Sequence, residues 1–178
     1  MAVYHIDKQN IAIPDATGVT RQNGDQRSRG VELEVRGNPN PRWNYAFAYA
    51  FNDSELTKFA EFVFNGQGFV PVDRSGNAPA FAPQHILNLW ATRTFKNGFG
   101  IGGGPRYVGD QFISEDNVFK IDNYLTFDAA VFYDVSRWRF SLNFKNLTDR
   151  EYETRGFGST SAIPADPLAV YAGVDFRL

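Results

Sequence analysis

The stretch Tyr124-Leu125-Thr126-Phe127-Asp128-Ala129-Ala130-Val131-Phe132-Tyr133-Asp134-Val135-Ser136-Arg137-Trp138-Arg139-Phe140-Ser141-Leu142-Asn143-Phe144-Lys145-Asn146 decides how this chain folds. Leu125, Phe127, Ala129, Val131, Tyr133 and Val135 are apolar at every second position, while Tyr124, Thr126, Asp128 and Asp134 between them are polar or amphipathic. After the break at Ser136-Arg137 the period resumes, with Trp138, Phe140, Leu142 and Phe144 on one side and Arg139, Ser141, Asn143 and Lys145 on the other. Period-two alternation describes two antiparallel strands joined by a tight turn. A slip of one residue would move Arg139 and Lys145 onto the apolar face, so the register is fixed. Against water, each large side chain of the second strand would forgo roughly 1.5–3 kcal/mol of burial. Against lipid, a slipped Arg or Lys would cost roughly 2–4 kcal/mol near the midplane. One face must therefore be dry, and the strand lengths suit the roughly 9–11 residues that cross a bilayer at a tilt.

Working outward, the same reading gives eight strands: Ala2–Asn10, Gly30–Gly37, Trp43–Asp53, Pro83–Phe95, Phe99–Val108, Tyr124–Val135, Trp138–Asn146 and Val170–Leu178. The third sets Trp43, Tyr45, Phe47, Tyr49 and Phe51 against Asn44, Ala46, Ala48, Ala50 and Asn52. The first, Val3-Tyr4-His5-Ile6-Asp7-Lys8, hardly alternates, and Arg93 interrupts the apolar row Leu87, Leu89, Ala91 of the fourth. The intervening connections hold 19, 5, 29, 3, 15, 2 and 23 residues. The short ones carry turn residues such as Asn38-Pro39-Asn40-Pro41 and Asn97-Gly98. Structureless loops of more than about 15 residues are uncommon in compact soluble domains. Strict alternation of long and short is the pattern of an up-and-down outer-membrane barrel, with long external loops and short periplasmic turns. Eight strands alone enclose a lumen that side chains must fill. The inward positions here include Ala46, Ala48, Ala50, Gly100, Gly102, Gly104 and Gly173, which suits the wall of a wider barrel.

Composition excludes much else. The longest apolar run, Tyr45 to Phe51, is far below the about 20 residues of a membrane helix. A net charge of −2 without a basic run argues against nucleic acid as a partner. With no Cys there is no disulfide framework, thiol nucleophile or thiolate metal site. Strand-like residues follow Met1-Ala2 directly, so an exported protein of this kind is expected to begin further upstream.

Seven short motifs occur in an order and spacing that resembles the C-terminal part of TonB-dependent outer-membrane receptors, specifically the ferric-siderophore receptors. They are Tyr4-His5-Ile6-Asp7-Lys8-Gln9-Asn10, Pro14-Asp15, Arg27-Ser28-Arg29-Gly30-Val31-Glu32-Leu33-Glu34, Ala82-Pro83-Gln84-His85, Arg106-Tyr107-Val108-Gly109-Asp110, Asp128-Ala129-Ala130, and Asn146-Leu147-Thr148-Asp149-Arg150-Glu151-Tyr152. The resemblance implies a barrel of about 22 strands with a plugged lumen, of which residues 1–178 would supply the last eight. It also implies outer-membrane lipid and a ferric siderophore as partners, iron entering only within that ligand. The TonB energising complex would be engaged through an N-terminal part, with its plug, that lies outside these residues. Such receptors commonly end on an aromatic residue; this chain ends Phe176-Arg177-Leu178.

No catalytic set emerges, and the chain reads as a receptor rather than an enzyme. Glu32 and Glu34 share a face, as a general acid–base pair would, but Arg36 beside them makes a polar inward stripe. His5 and His85 lack neighbouring ligands, and no helix follows the glycines from Gly98 to Gly104 to build a phosphate loop. No Gly-x-Ser-x-Gly elbow occurs. Ligand contacts are expected in or beside the long loops, at Phe69, Arg74, Phe81, Arg106, Tyr107, Phe112, Tyr152, Arg155 and Phe157. There aromatics offer flat apolar surface and Arg offers charge-assisted hydrogen bonds to an anionic chelate. Each also has a plainer reading as loop packing or interfacial belt, Tyr107 above all. Two other architectures fit the strand count: a self-contained eight-strand barrel, structural, adhesive or hydrolytic, and a soluble lipocalin-like barrel with its apolar face inward.

Overall fold

A computed structural model of the chain describes residues 1–158 and 160–177. Among these residues lie fourteen strands and no helix. In chain order they are β1 (Ala2–Pro14), β2 (Thr20–Asn40), β3 (Trp43–Lys58), β4 (Ala60–Phe64), β5 (Phe69–Asp73), β6 (His85–Thr94), β7 (Phe99–Val108), β8 (Gln111–Phe112), β9 (Lys120–Ile121), β10 (Tyr124–Val135), β11 (Trp138–Lys145), β12 (Glu153–Phe157), β13 (Ser161–Pro164) and β14 (Ala169–Phe176). Eight of them form one sheet in the order β1-β2-β3-β6-β7-β10-β11-β14, each step antiparallel. This is the all-β, up-and-down arrangement expected from the alternation, with β1 and β14 as its two edges. The sheet does not close on itself, so the self-contained eight-strand barrel is not what these residues form.

The register places every outward row as the sequence requires. Tyr133 pairs with Phe140, Val131 with Leu142 and Ala129 with Phe144, while Val174 and Ala172 continue the rows on β14. Trp138, Phe140 and Leu142 are 46%, 46% and 44% exposed on that face. A soluble barrel of the lipocalin kind would bury them, so that reading also falls. On the opposite face the wall is thin. Tyr4 pairs with Gly30, and Phe132 with Gly100. Each ring lies where a Cβ on its glycine would stand, so both aromatics press flat against the backbone. The Tyr4 hydroxyl then donates to Asn52 Oδ1 on β3 at 3.1 Å.

The buried apolar side chains lie away from the middle of the sheet. Leu56, Ile13, Val108, Ile113, Ile121 and Tyr124 collect at the end of the long connections. Those connections differ from the irregular loops expected. Three contain hairpins: β4–β5, β8–β9 and β12–β13. The first link is mostly strand, because β1 and β2 run on as a ribbon to a turn at residues 15–19. There Asp15 accepts the Thr17 hydroxyl at 2.6 Å, the Thr17 and Val19 N–H groups at 2.9 and 3.1 Å, and Arg21 Nε at 2.9 Å. β6 starts at His85 rather than Pro83, whose ring can donate no ladder hydrogen bond. Leu178, expected to finish the last strand, lies outside the described residues.

The facing of β11 gives a direct test. Leu142→Arg is expected to destabilise the folded protein by about 2–4 kcal/mol, and Asn143→Arg on the inner face by much less. Urea unfolding in lipid vesicles, followed by tryptophan fluorescence, reads both. Equal losses would refute the assignment of faces.

Candidate functional site

The inner face of the sheet carries two adjoining clefts at the end where the hairpins lie. Arg106 on β7 sits opposite Thr126 on β10 and Asn88 on β6, with its guanidinium 3.5 Å from Asn88 Oδ1. On β10 and β11, Lys145 Nζ donates to Asp128 Oδ2 at 2.6 Å. Across this floor lies a cleft of about 680 Å³, bounded by Arg106, Asp128, Lys145, Tyr152, Arg155 and Asp166. A second of the same volume adjoins it through Arg106 and Arg155 and reaches Phe81, Pro83 and Ile86. Such volumes fall within the roughly 300–1,000 Å³ of small-molecule sites.

One residue fixes the roof. Asn146, the residue after β11, takes the left-handed conformation (φ 49°) and is buried. Its amide nitrogen donates to the Arg150 carbonyl at 2.9 Å and the Asp166 carbonyl at 3.3 Å, and its Oδ1 accepts the Arg150 N–H at 3.0 Å. The Asn146 N–H donates to Asp128 Oδ1 at 3.0 Å. Both ends of the β11–β14 connection are thereby pinned to the floor. Tyr152 then lies on Tyr124, ring centroids 4.4 Å apart. Burial, with Tyr124 and Asp128 nearby, pushes the Tyr152 hydroxyl above its ordinary range, so it remains a proton donor. The β12–β13 hairpin leans on β8–β9, with Ile113 packed against Gly156 and Gln111 Nε2 3.5 Å from the Thr154 carbonyl.

The second roof element is the segment between β5 and β6. Asn117 accepts the Ala78 N–H at 2.8 Å and donates to the Ala78 carbonyl at 2.8 Å, and the Phe81 N–H donates to the Phe112 carbonyl at 2.8 Å. The Asn117 turn is held by Asp116, which accepts the Ser114 hydroxyl at 2.5 Å and the Val118 N–H at 3.1 Å. The Ser114 hydrogen bond above all, with help from Arg74, keeps the Asp116 carboxyl below the usual range.

The nine expected ligand residues thus separate. Arg106, Tyr152, Arg155 and Phe81 converge on the two clefts. Among the described residues, neither Arg106 nor Arg155 has a carboxylate within ion-pair distance. Arg74 instead donates to Glu61 Oε2 at 3.0 Å and closes the base of β4–β5. Phe112 lies under Lys120, 5.8 Å from its ring centroid. Phe69 meets Phe64 in a tilted ring pair at the β4–β5 tip, and Phe157 stands at the β12–β13 tip, 82% exposed. Tyr107 points outward between Leu87 and Leu125, as a belt residue does. Lys145, Asp128, Tyr124 and Asp166 belong to the clefts and were not foreseen. The polar row of the decisive hairpin names Lys145 and Asp128, had its external end been counted with the loops. Among the described residues no group of three His, Cys, Asp or Glu side chains could hold a metal ion.

An antiparallel sheet with an apolar outer face, short turns at one end and hairpin-roofed clefts at the other defines a wall of an outer-membrane β-barrel receptor. Residues 1–147 match the family model described as TonB dependent receptor-like, beta-barrel, and the chain belongs to that family of the Gram-negative outer membrane. It is 31% identical over 187 residues to the ferrichrome outer membrane transporter/phage receptor of Escherichia coli K12, a match spanning 99% of this chain and 23% of that protein. The crystal structure of the siderophore receptor PiuA from Acinetobacter baumannii superposes with a TM-score of 0.85 at 25% identity, over 98% of this chain and 25% of PiuA. The ferric-catecholate import receptor Fiu of E. coli K12 shares the fold (TM-score 0.74, 22% identity, 98% of this chain and 24% of Fiu). The chain spans about a quarter of the length of these receptors. All are receptors or transporters.

Two outcomes test the roof. Asn146→Ala leaves the Arg150 and Asp166 carbonyls and the Arg150 N–H without their partner, a cost of about 1–3 kcal/mol to the loop. It should speed proteolysis within residues 147–168 while the sheet stays folded, as judged by its resistance to unfolding in sodium dodecyl sulfate before heating. For Asp116 the folded carboxyl titrates below the unfolded one, so its contribution is complete above about pH 4 and disappears as pH falls through the lowered value. Protection factors at residues 114–118, meaning exchange relative to the intrinsic rate at each pH, should fall on acidification from about pH 5 to about pH 2, and Asp116→Asn should flatten that dependence.

Proposed function

We propose that residues 1–178 are the C-terminal part of the barrel of a receptor that imports ferric siderophores across the outer membrane. Arg106, Arg155, Tyr152 and Phe81 contact the iron chelate at the external mouth. The observation that carries this reading is the pair of guanidinium groups, Arg106 and Arg155, that meet no carboxylate among the described residues, shared by both clefts and set beside Tyr152. Guanidinium forks and a protonated phenol donate hydrogen bonds to chelate oxygens, and aromatic faces cover the ligand's apolar parts. Iron enters as a preformed chelate, and the wall acts by binding rather than by catalysis. The relatives support the ligand class: one is named for ferrichrome and another for ferric catecholates.

The two sheet edges support the assignment to a larger barrel, since an edge in lipid needs a partner strand for its backbone groups. In the complete receptor a plug fills the lumen, and an N-terminal segment couples it to the TonB energising complex. The 178 residues alone are expected to bind ligand without driving uptake.

Calorimetric titration of the purified protein with a ferric hydroxamate and with a ferric catecholate tests the site. One of the two should bind, and Arg106→Ala and Arg155→Ala should each weaken it by about tenfold or more, the worth of a charge-assisted hydrogen bond. Tyr107→Ala, on the outer face, should leave affinity unchanged. If neither Arg substitution alters binding, the mouth is not the ligand site.

A further inference from the structure

Arg93 has no place in the ligand site, yet its surroundings are specific. It is the penultimate residue of β6 and pairs with Trp43 on β3 and Ile101 on β7, both on the outward, lipid-facing side. Its guanidinium carbon lies 5.3 Å from the Trp43 ring centroid and 4.8 Å from that of Phe95. Two aromatic rings thus hold the cation, leaving its N–H edge free to donate. Among the described residues no carboxylate lies within ion-pair distance of it. The sequence supplies none nearby: from Gly37 to Asn52 and from His85 to Gly109 there is no Asp or Glu. Two further cations flank the place. The Thr94 N–H donates to the Arg42 carbonyl at 2.8 Å, setting the β2–β3 turn beside the end of β6, and Lys96 follows in the β6–β7 turn.

The position selects the ligand. This is the short-turn end, which in these barrels faces the periplasm, and an outward Arg is tolerated only near such an interface. Immediately along the same face, Ala91, Leu89, Tyr45 and Ile101 form an apolar surface that acyl chains cover. Whatever meets Arg93 must therefore carry an anion at one end and hydrocarbon next to it. We propose that Arg93, clasped by Trp43 and Phe95 and assisted by the charges of Arg42 and Lys96, binds the phosphate of a glycerophospholipid in the periplasmic leaflet. The site fixes the depth at which this edge of the wall sits in the bilayer.

The test is lipid retention by the purified protein in detergent, counted by native mass spectrometry. The probes are phosphatidylglycerol, diacylglycerol and excess inorganic phosphate. The wild type should hold one phosphatidylglycerol about fivefold more tightly than Arg93→Gln, with a similar loss for Trp43→Leu. Diacylglycerol, lacking the phosphate, should not be retained, and inorganic phosphate should not displace the phospholipid. Unchanged retention in Arg93→Gln overturns the proposal. Displacement by inorganic phosphate would reduce the site to a free-anion site, and equal retention of diacylglycerol to an apolar groove; either overturns it too. Because a strand substitution can impair folding, the turn variant Arg42→Gln/Lys96→Gln provides a second measure outside the sheet. It should lose about fivefold or more in phosphatidylglycerol affinity, and no loss there is equally fatal.

Discussion

Everything in this wall follows from the backbone hydrogen-bond ladder. In hydrocarbon an unpaired N–H or C=O costs several kcal/mol, so a strand that crosses lipid must be paired along its length. The ladder is nearly complete from β1 to β14, and its one lapse in the middle is instructive. Pro105 sits in β7, between two neighbours, where proline is normally excluded. The β6–β7 pairing skips from Asn88–Arg106 to Ala91–Gly103, while Pro105 keeps its place opposite Phe127 on β10. Gly104 beside it comes so close to the Leu89 carbonyl that no side chain would fit. The missing donor is confined to one side of one strand, and a glycine absorbs the misfit.

Because the ladder joins neighbouring strands along their length, the side chains need not form a central core. Outward residues need only be apolar, and inward ones only small, flat or paired. That is why the buried cluster of Leu56, Ile13, Ile113, Ile121 and Tyr124 lies under the hairpins instead of within the sheet. Beyond the membrane the requirement changes, since water satisfies loose backbone groups but does not order a loop. The external connections are accordingly tied by short polar links, with Asn117 on Ala78, Asp15 on its own turn and Asn146 on three backbone atoms. The clefts exist because these links hold the roof away from the floor.

The sequence was legible where one face meets lipid. β3, β10 and β11 alternate cleanly because a dry face tolerates few exceptions, and their register follows from that alone. It was opaque where strands leave the membrane. Residues 20–28 of β2 read Thr-Arg-Gln-Asn-Gly-Asp-Gln-Arg-Ser, with no apolar period, yet they pair with β1 and β3 through the backbone. The short hairpins were hidden for a related reason: β4–β5 and β12–β13 stand beyond the lipid, where neither face has to be apolar along its length, so no strict alternation marks them. At the site, residue type alone marked Arg106, Tyr152 and Arg155. The same rule admitted Arg74, because a loop arginine that faces a cleft and one that binds Glu61 look identical until the pairing is known.

Pairing also distinguishes the charges along the inner wall from those at its two rims. Along the inner wall, Arg139 chelates Asp134 at 2.8 and 2.7 Å while lying over the Phe132 ring, Lys145 meets Asp128, and Arg36 meets Glu34. Exposed pairs of this kind contribute little to stability, typically about 0–1 kcal/mol each. Their effect is to leave the wall locally neutral, so that a polar lumen does not attract every ion. Among the described cations that meet no carboxylate, Arg106 and Arg155 line the clefts under the external roof, and Arg93, Arg42 and Lys96 lie together at the opposite, short-turn end. Pairing within the wall thus leaves the guanidinium groups best placed to donate to anionic oxygen at its two rims, which is where the proposed ligand and lipid contacts fall.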